Sequence, residues 1–116
     1  MRKAAKALVG EHDFTSFASI HSQTNTFVRT IYDISIERDE MDVVRLRIRG
    51  NGFLYNMVRI IAGTLMEVGR GAKMPAEIPA ILESADRRSA GPTAPACGLT
   101  LVRYEIAEPG MEMIFD

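Results

Sequence analysis

Two alternating runs, separated by a short polar stretch, constrain this chain most. Val28, Thr30, Tyr32, Ile34 and Ile36 fall on one side of the first run; Arg29, Asp33, Ser35 and Glu37 fall on the other, and Ile31 is out of phase. In the second run, "VVRLRIRG", Val44, Leu46 and Ile48 alternate with Arg45, Arg47 and Arg49. Period-two alternation marks a strand with one buried face. The stretch "RDEMD" between the runs is a polar turn. Together they predict an antiparallel hairpin that needs a cover for its apolar side.

The segment "LYNMVRIIAGTLMEVG" after "NGF" has the other periodicity and predicts a helix closed by Gly69 and Gly71. At roughly 100° per residue, Leu54, Met57, Val58, Ile61, Leu65 and Val68 form one stripe. Arg59 falls on the far side with Asn56, Gly63 and Glu67. A lone guanidinium in an apolar run is costly to bury without a partner. Arg59 therefore either points away from the core or meets something anionic.

Elsewhere, "RKAAKALVG" predicts a short helix stopped by Gly10. In "EHDFTSF", Asp13 or Thr15 can act as a cap. A further helix runs through "PAEIPAILESADR", with its regular part starting near Ile78 because Pro79 cannot lie deep inside it. "SAGPTAPACG" is a loop, "LTLVRYEI" a closing strand and "AEPGMEMIFD" a short tail. The order α, β, β, α, α, β predicts an α+β fold with a mostly antiparallel sheet and helices packed on one face. A chain of 116 residues, without repeat or linker, fits a single domain over 1–116.

Composition narrows the function classes. With 47% apolar and 25% charged residues and a net charge of −1, the chain is no polycation, so nucleic-acid affinity must come from a local patch. The single cysteine, Cys97, excludes an internal disulfide and fits a reducing, cytoplasmic setting. "MRKAAKALVGEHDF" does not read as a signal peptide, and "IIAGTLM" is too short to span a bilayer.

No complete catalytic set is visible among the residues. Arg45, Arg47 and Arg49 can track RNA phosphates or simply form the solvated face of a hairpin; with no aromatic interleaved, the second reading is the simpler. His12 and His21, nine residues apart, have no acidic partner at ligand spacing, so no metal site is expected. Cys97 has no histidine nearby in sequence and reads as a packing residue. Asp39, Glu40 and Asp42 sit in a turn, where solvation is the default.

Four motifs in order, "GEHDFTSF", the strand-opening "RTI", "GNGFLYNMVRIIAGTLMEVGRG" and "TAPACGL", resemble the tRNA pseudouridine synthase A family, as does the ending "FD". The resemblance covers the C-terminal half of that family and implies half of a pseudouridine synthase fold. The family's essential aspartate belongs to a G-R-T-D-x-G-type motif in the N-terminal half. No such motif occurs among these residues; "DRRSAG" comes nearest but places its aspartate before the arginine.

The family pattern F-L-x-N-M-V-R falls on Phe53 to Arg59, and the resemblance implies that Arg59 pairs with the missing catalytic aspartate. That would supply the anion, and the guanidinium fork suits a carboxylate held away from water. Arg29, Phe53 and Asn56 join Arg45, Arg47 and Arg49 as expected RNA contacts. The implied activity is isomerisation of uridine to pseudouridine in the anticodon arm of tRNA, without metal or organic cofactor. The implied partners are tRNA, the N-terminal half of the same enzyme and a second subunit in a homodimer. A stand-alone RNA-binding module and a structural dimerisation module are the competing readings.

Overall fold

The computed structural model describes residues 2–19, 26–38, 40, 44–54, 56–94, 99–105 and 110–115. Asp39 and Asp42 of the polar turn, His21, Cys97 and Asp116 lie outside the described residues, as does 95–98 of "TAPACGL". Five strands form one sheet: β1 (Gly10–Asp13), β2 (Val28–Arg38), β3 (Val44–Gly50), β4 (Leu99–Glu105) and β5 (Gly110–Phe115). Their order is β1-β2-β3-β5-β4, and every neighbouring pair is antiparallel. The helices are α1 (Arg2–Lys6), α2 (Met57–Gly69) and α3 (Glu77–Ser84), with 3-10 turns at Thr15–Phe17 and Arg87–Ser89. This is the expected α+β class.

The expected hairpin is β2–β3, with Ile34 opposite Ile48 and Ile36 opposite Leu46. Its one irregularity lies where the sequence alternation faltered. The register shifts between Ile31 and Asp33, so Tyr32 is the extra residue of a bulge. A bulge reverses the in–out phase of the strand. Ile31 is consequently buried with Leu46 and Ile48, whereas Val28 and Tyr32, expected on the core side, stand exposed.

The sheet's inner face and the helices share one core. Ala4, Ala5 and Leu8 at α1 and Met57, Ile61 and Leu65 of α2 are buried in the same cluster as Ile31 and Ile48. Phe14 and Phe17, in edge-to-face contact at 6.3 Å, extend it toward Ile78 and Ile81 of α3. Buried Ser16 ties this end together. Its hydroxyl donates to the Ile81 carbonyl (2.6 Å) and accepts from the Asp86 N–H (2.9 Å).

Three boundaries differ from the sequence expectation. The first helix ends at Lys6, and Gly10, with φ of +109°, opens β1 instead of closing the helix. Helix α2 starts at Met57 rather than Leu54, because Asn56 takes a left-handed conformation (φ 61°, ψ 7°) that cannot continue a helix. Two strands, β1 and β5, arise where a cap-bearing segment and a tail were expected. At the other end of α2, Gly71 has φ of +80° and closes the helix region as expected. Pro79 is the third residue of α3, within the first turn, where a missing N–H costs no intrahelical bond.

Candidate functional site

Helix α2 is buried on more than one side. Nine of its thirteen residues are buried, including the whole expected stripe within it and also Ile60, Gly63 and Thr64 on the flank beside it. A helix apolar nearly all round must be covered nearly all round. The cover on that flank is the segment 91–94, which lies along α2 as a strap.

The strap is bonded to the helix at two residues, Thr64 and Arg59. The Gly91 N–H donates to Thr64 Oγ1 (2.8 Å), and Thr64 in turn donates to the Ile60 carbonyl (2.8 Å). The Ala94 N–H donates to the Arg59 carbonyl (3.0 Å), and Arg59 Nε donates back to the Ala94 carbonyl (2.7 Å). Two glycines permit the approach. A Cβ on Gly63 would lie 1.7 Å from the Pro92 carbonyl oxygen, and one on Gly91 would lie 2.8 Å from Thr64 Cα. Arg87 Nη2 reaches Thr93 Oγ1 (3.3 Å) from the adjacent 3-10 turn. Sequence reading missed Thr64, Gly91 and Ala94. The available signal was Gly63, since a glycine inside an apolar helix usually has a packing reason.

Arg59 is therefore half-buried at the edge of this strap, on the side of α2 away from Leu54, Met57, Ile61 and Leu65. Its second anchor is Asn56, whose Oδ1 accepts from Nη1 at 3.1 Å. Asn56 is the N-cap of α2, yet its side chain makes no capping bond to the helix. Of the five guanidinium N–H donors, these two bonds fix the side chain from two directions. Among the described residues, Nη2 has no partner and Arg59 forms no ion pair. The fork is positioned but not neutralised.

The other expected site residues fall in two places. Arg45, Arg47 and Arg49 are exposed on the outer face of the sheet, remote in kind from the α2 flank. Cross-strand register sets Arg45 opposite Glu37, Arg47 opposite Ser35 and Arg49 opposite Asp33. The bulge supplies the aromatic that the sequence pattern lacked: Arg49 Cζ stacks 5.0 Å from the Tyr32 ring centroid. Arg29 donates through Nη1 to the Thr26 (3.0 Å) and Val28 (2.7 Å) carbonyls and passes beside Gly52. Arg29 thus flanks the loop that leads to Asn56. Phe53 is half-buried, packed against the core and under Gly50. His12 is structural here, with Nε2 bonded to the Val9 carbonyl (3.0 Å) and its ring edge-on to Phe14 (5.7 Å). Among the described residues no three His, Cys, Asp or Glu side chains converge on a metal position, and no helix is long and apolar enough to cross a membrane.

Comparison with known proteins decides the family. The family model described as tRNA pseudouridine synthase matches residues 4–105. The chain belongs to the tRNA pseudouridine synthase family. It is 57% identical over 101 residues to tRNA pseudouridine synthase A of Brevibacillus brevis, a match covering 87% of this chain and 41% of that protein. It is 56% identical over 102 residues to the Acetivibrio thermocellus protein of the same name, covering 88% and 41%. With the Bacillus subtilis protein of that name the identity is 52% over 101 residues, covering 87% and 40%. The chain thus spans about two fifths of the length of these synthases, and the matched region contains Arg59, Asn56 and the strap.

Proposed function

We propose that this chain forms one wall of the active site of an enzyme that isomerises uridine to pseudouridine in the anticodon arm of tRNA. The observation that carries the proposal is Arg59. It is an arginine anchored at Nε and Nη1, uncompensated by any carboxylate among the described residues, inside a region that matches the family. Such a cation suits an aspartate contributed by the other half of the enzyme, as the sequence resemblance implies.

In that reaction the ribose bond to a ring nitrogen breaks, the freed base turns, and the ribose bonds to a ring carbon. The carbon's proton is released and the nitrogen takes one up. Nothing is oxidised or reduced overall, so no redox cofactor is required. Arg59 keeps the attacking aspartate ionised and oriented; it does not attack the nucleotide itself. The uridine must leave its stack to reach this wall. Arg29, Phe53 and the outward Arg45, Arg47 and Arg49 are assigned to the surrounding RNA surface, and Asn56, whose Oδ1 accepts from Arg59 Nη1, to the arginine's side of it. The intact enzyme works in the cytoplasm as a homodimer, with tRNA spanning both subunits.

The test is conversion of unmodified tRNA by the intact protein and by residues 1–116 alone. Conversion by the first and none by the second is expected, because the aspartate lies in the other half. Turnover by the 116-residue chain would overturn the division of roles. A second reading, a structural assembly face, is favoured by the register of Arg45 and Arg49 opposite Glu37 and Asp33, which balances the stripe's charge. Tight, salt-sensitive tRNA binding by the chain would count against that reading.

A further inference from the structure

We infer that Asn56 is a positioning residue that aims the Arg59 guanidinium, a role that rests on the functional reading of Arg59 above. Three features of Asn56 point the same way. Its backbone is left-handed (φ 61°), a conformation that asparagine tolerates better than most residues. It occupies the N-cap of α2, where an asparagine oxygen ordinarily accepts a bond from the first helical turn. That oxygen is instead turned onto Arg59 Nη1 at 3.1 Å. A stabilising cap is given up at the one position, among the described residues, from which a side chain reaches the arginine.

The second anchor shows why Asn56 matters. Arg59 Nε is fixed by the Ala94 carbonyl, so the guanidinium plane retains one degree of freedom, rotation about that anchor. A bond to Nη1 removes it and leaves Nη2 without a partner among the described residues. Asn56 supplies this bond with a neutral acceptor. A carboxylate at the same place would neutralise the cation before substrate arrives, whereas an amide oxygen orients the fork and leaves its charge available. The geometry thus assigns Asn56 an effect on the chemical step through Arg59, distinct from a direct contact to RNA.

The experiment uses the intact synthase that contains this chain. Asn56→Gly keeps the left-handed backbone at no steric cost and removes only the side chain. It should lower kcat roughly tenfold, the scale of one charge-linked orienting bond, with KM within about twofold of wild type. In an Arg59→Ala background the same substitution should cost nothing further, because a residue that acts through the arginine has nothing left to position. Asn56→Asp should also lose turnover, by neutralising the fork. Guanidinium nitrogen NMR gives a readout independent of turnover: slowed rotation of the Arg59 Nη groups in wild type, released in Asn56→Gly.

Wild-type kcat from folded Asn56→Gly, a raised KM with kcat held, or an additive loss on top of Arg59→Ala would overturn the inference. If Asn56→Gly fails to fold, wild-type turnover from Asn56→Asp would overturn it equally. Failure of the functional reading looks different: full activity of Arg59→Ala, or no conversion of uridine by wild type, removes the arginine's role rather than Asn56's part in it.

Discussion

Arg59 shows what a single residue reveals and conceals. Its place off the main stripe follows from helical spacing, and its need for a partner follows from the cost of desolvating a guanidinium. The partners themselves separate into two kinds. Asn56 lies three residues away, one turn along the chain, within reach of pattern reasoning. Ala94 lies thirty-five residues away and offers a backbone carbonyl, which no residue type encodes. Thr64 is similar: a hydroxyl in an apolar helix signals nothing until Gly91 is placed beside it. Thr64→Val keeps the shape but leaves the buried Gly91 N–H without an acceptor. It should destabilise the fold by about 1–3 kcal/mol in denaturant unfolding. Arg59→Lys should keep the charge but only part of the turnover, since a point charge cannot reproduce the planar two-pronged geometry; full turnover by the lysine enzyme would show that geometry is unimportant here.

Among the elements, the β2–β3 hairpin was legible because one buried face imposes strict alternation. Even its bulge was signalled, by Ile31 falling out of phase. The consequence was not legible: Tyr32 turns outward and stacks with Arg49. Strands β1 and β5 escaped because four and six residues carry little periodicity and their pairing is settled by distant partners, β2 for one and β3 and β4 for the other. The strap escaped for the same reason. Its contact with α2 makes a sharp stability prediction. Gly63→Ala puts a methyl carbon onto a backbone oxygen that cannot rotate aside, so the strap must move. The expected loss is about 3 kcal/mol, the upper range for overpacking, with reduced turnover as Ala94 shifts away from Arg59. Unchanged stability of Gly63→Ala would mean that the strap does not rest on α2.

For the whole molecule, the family was legible in the order of the motifs more than in bulk properties. A net charge of −1 conceals an outer face of arginines balanced by cross-strand carboxylates. If Arg47 nonetheless meets a phosphate, Arg47→Ala should reduce the slope of log affinity against log salt by about 0.7–0.9, with turnover at saturation unchanged. An unchanged slope would leave the stripe a solvated face. β4 has a sheet neighbour on one side only among the described residues, leaving seven residues of edge for another chain. Residues 1–116 alone should therefore self-associate at high concentration, and a strictly monomeric sedimentation profile would contradict this.

If this chain presents a positioned and uncompensated cation to a catalytic acid from the other half of the enzyme, the single-turnover rate of uridine conversion by intact Arg59→Ala must fall. A charge-assisted bond of about 1.5–3 kcal/mol, lost from the transition state, slows the step by about one to two orders of magnitude. That loss is expected from an enzyme that remains folded and still binds tRNA. A folded Arg59→Ala enzyme converting uridine at the wild-type rate would contradict it.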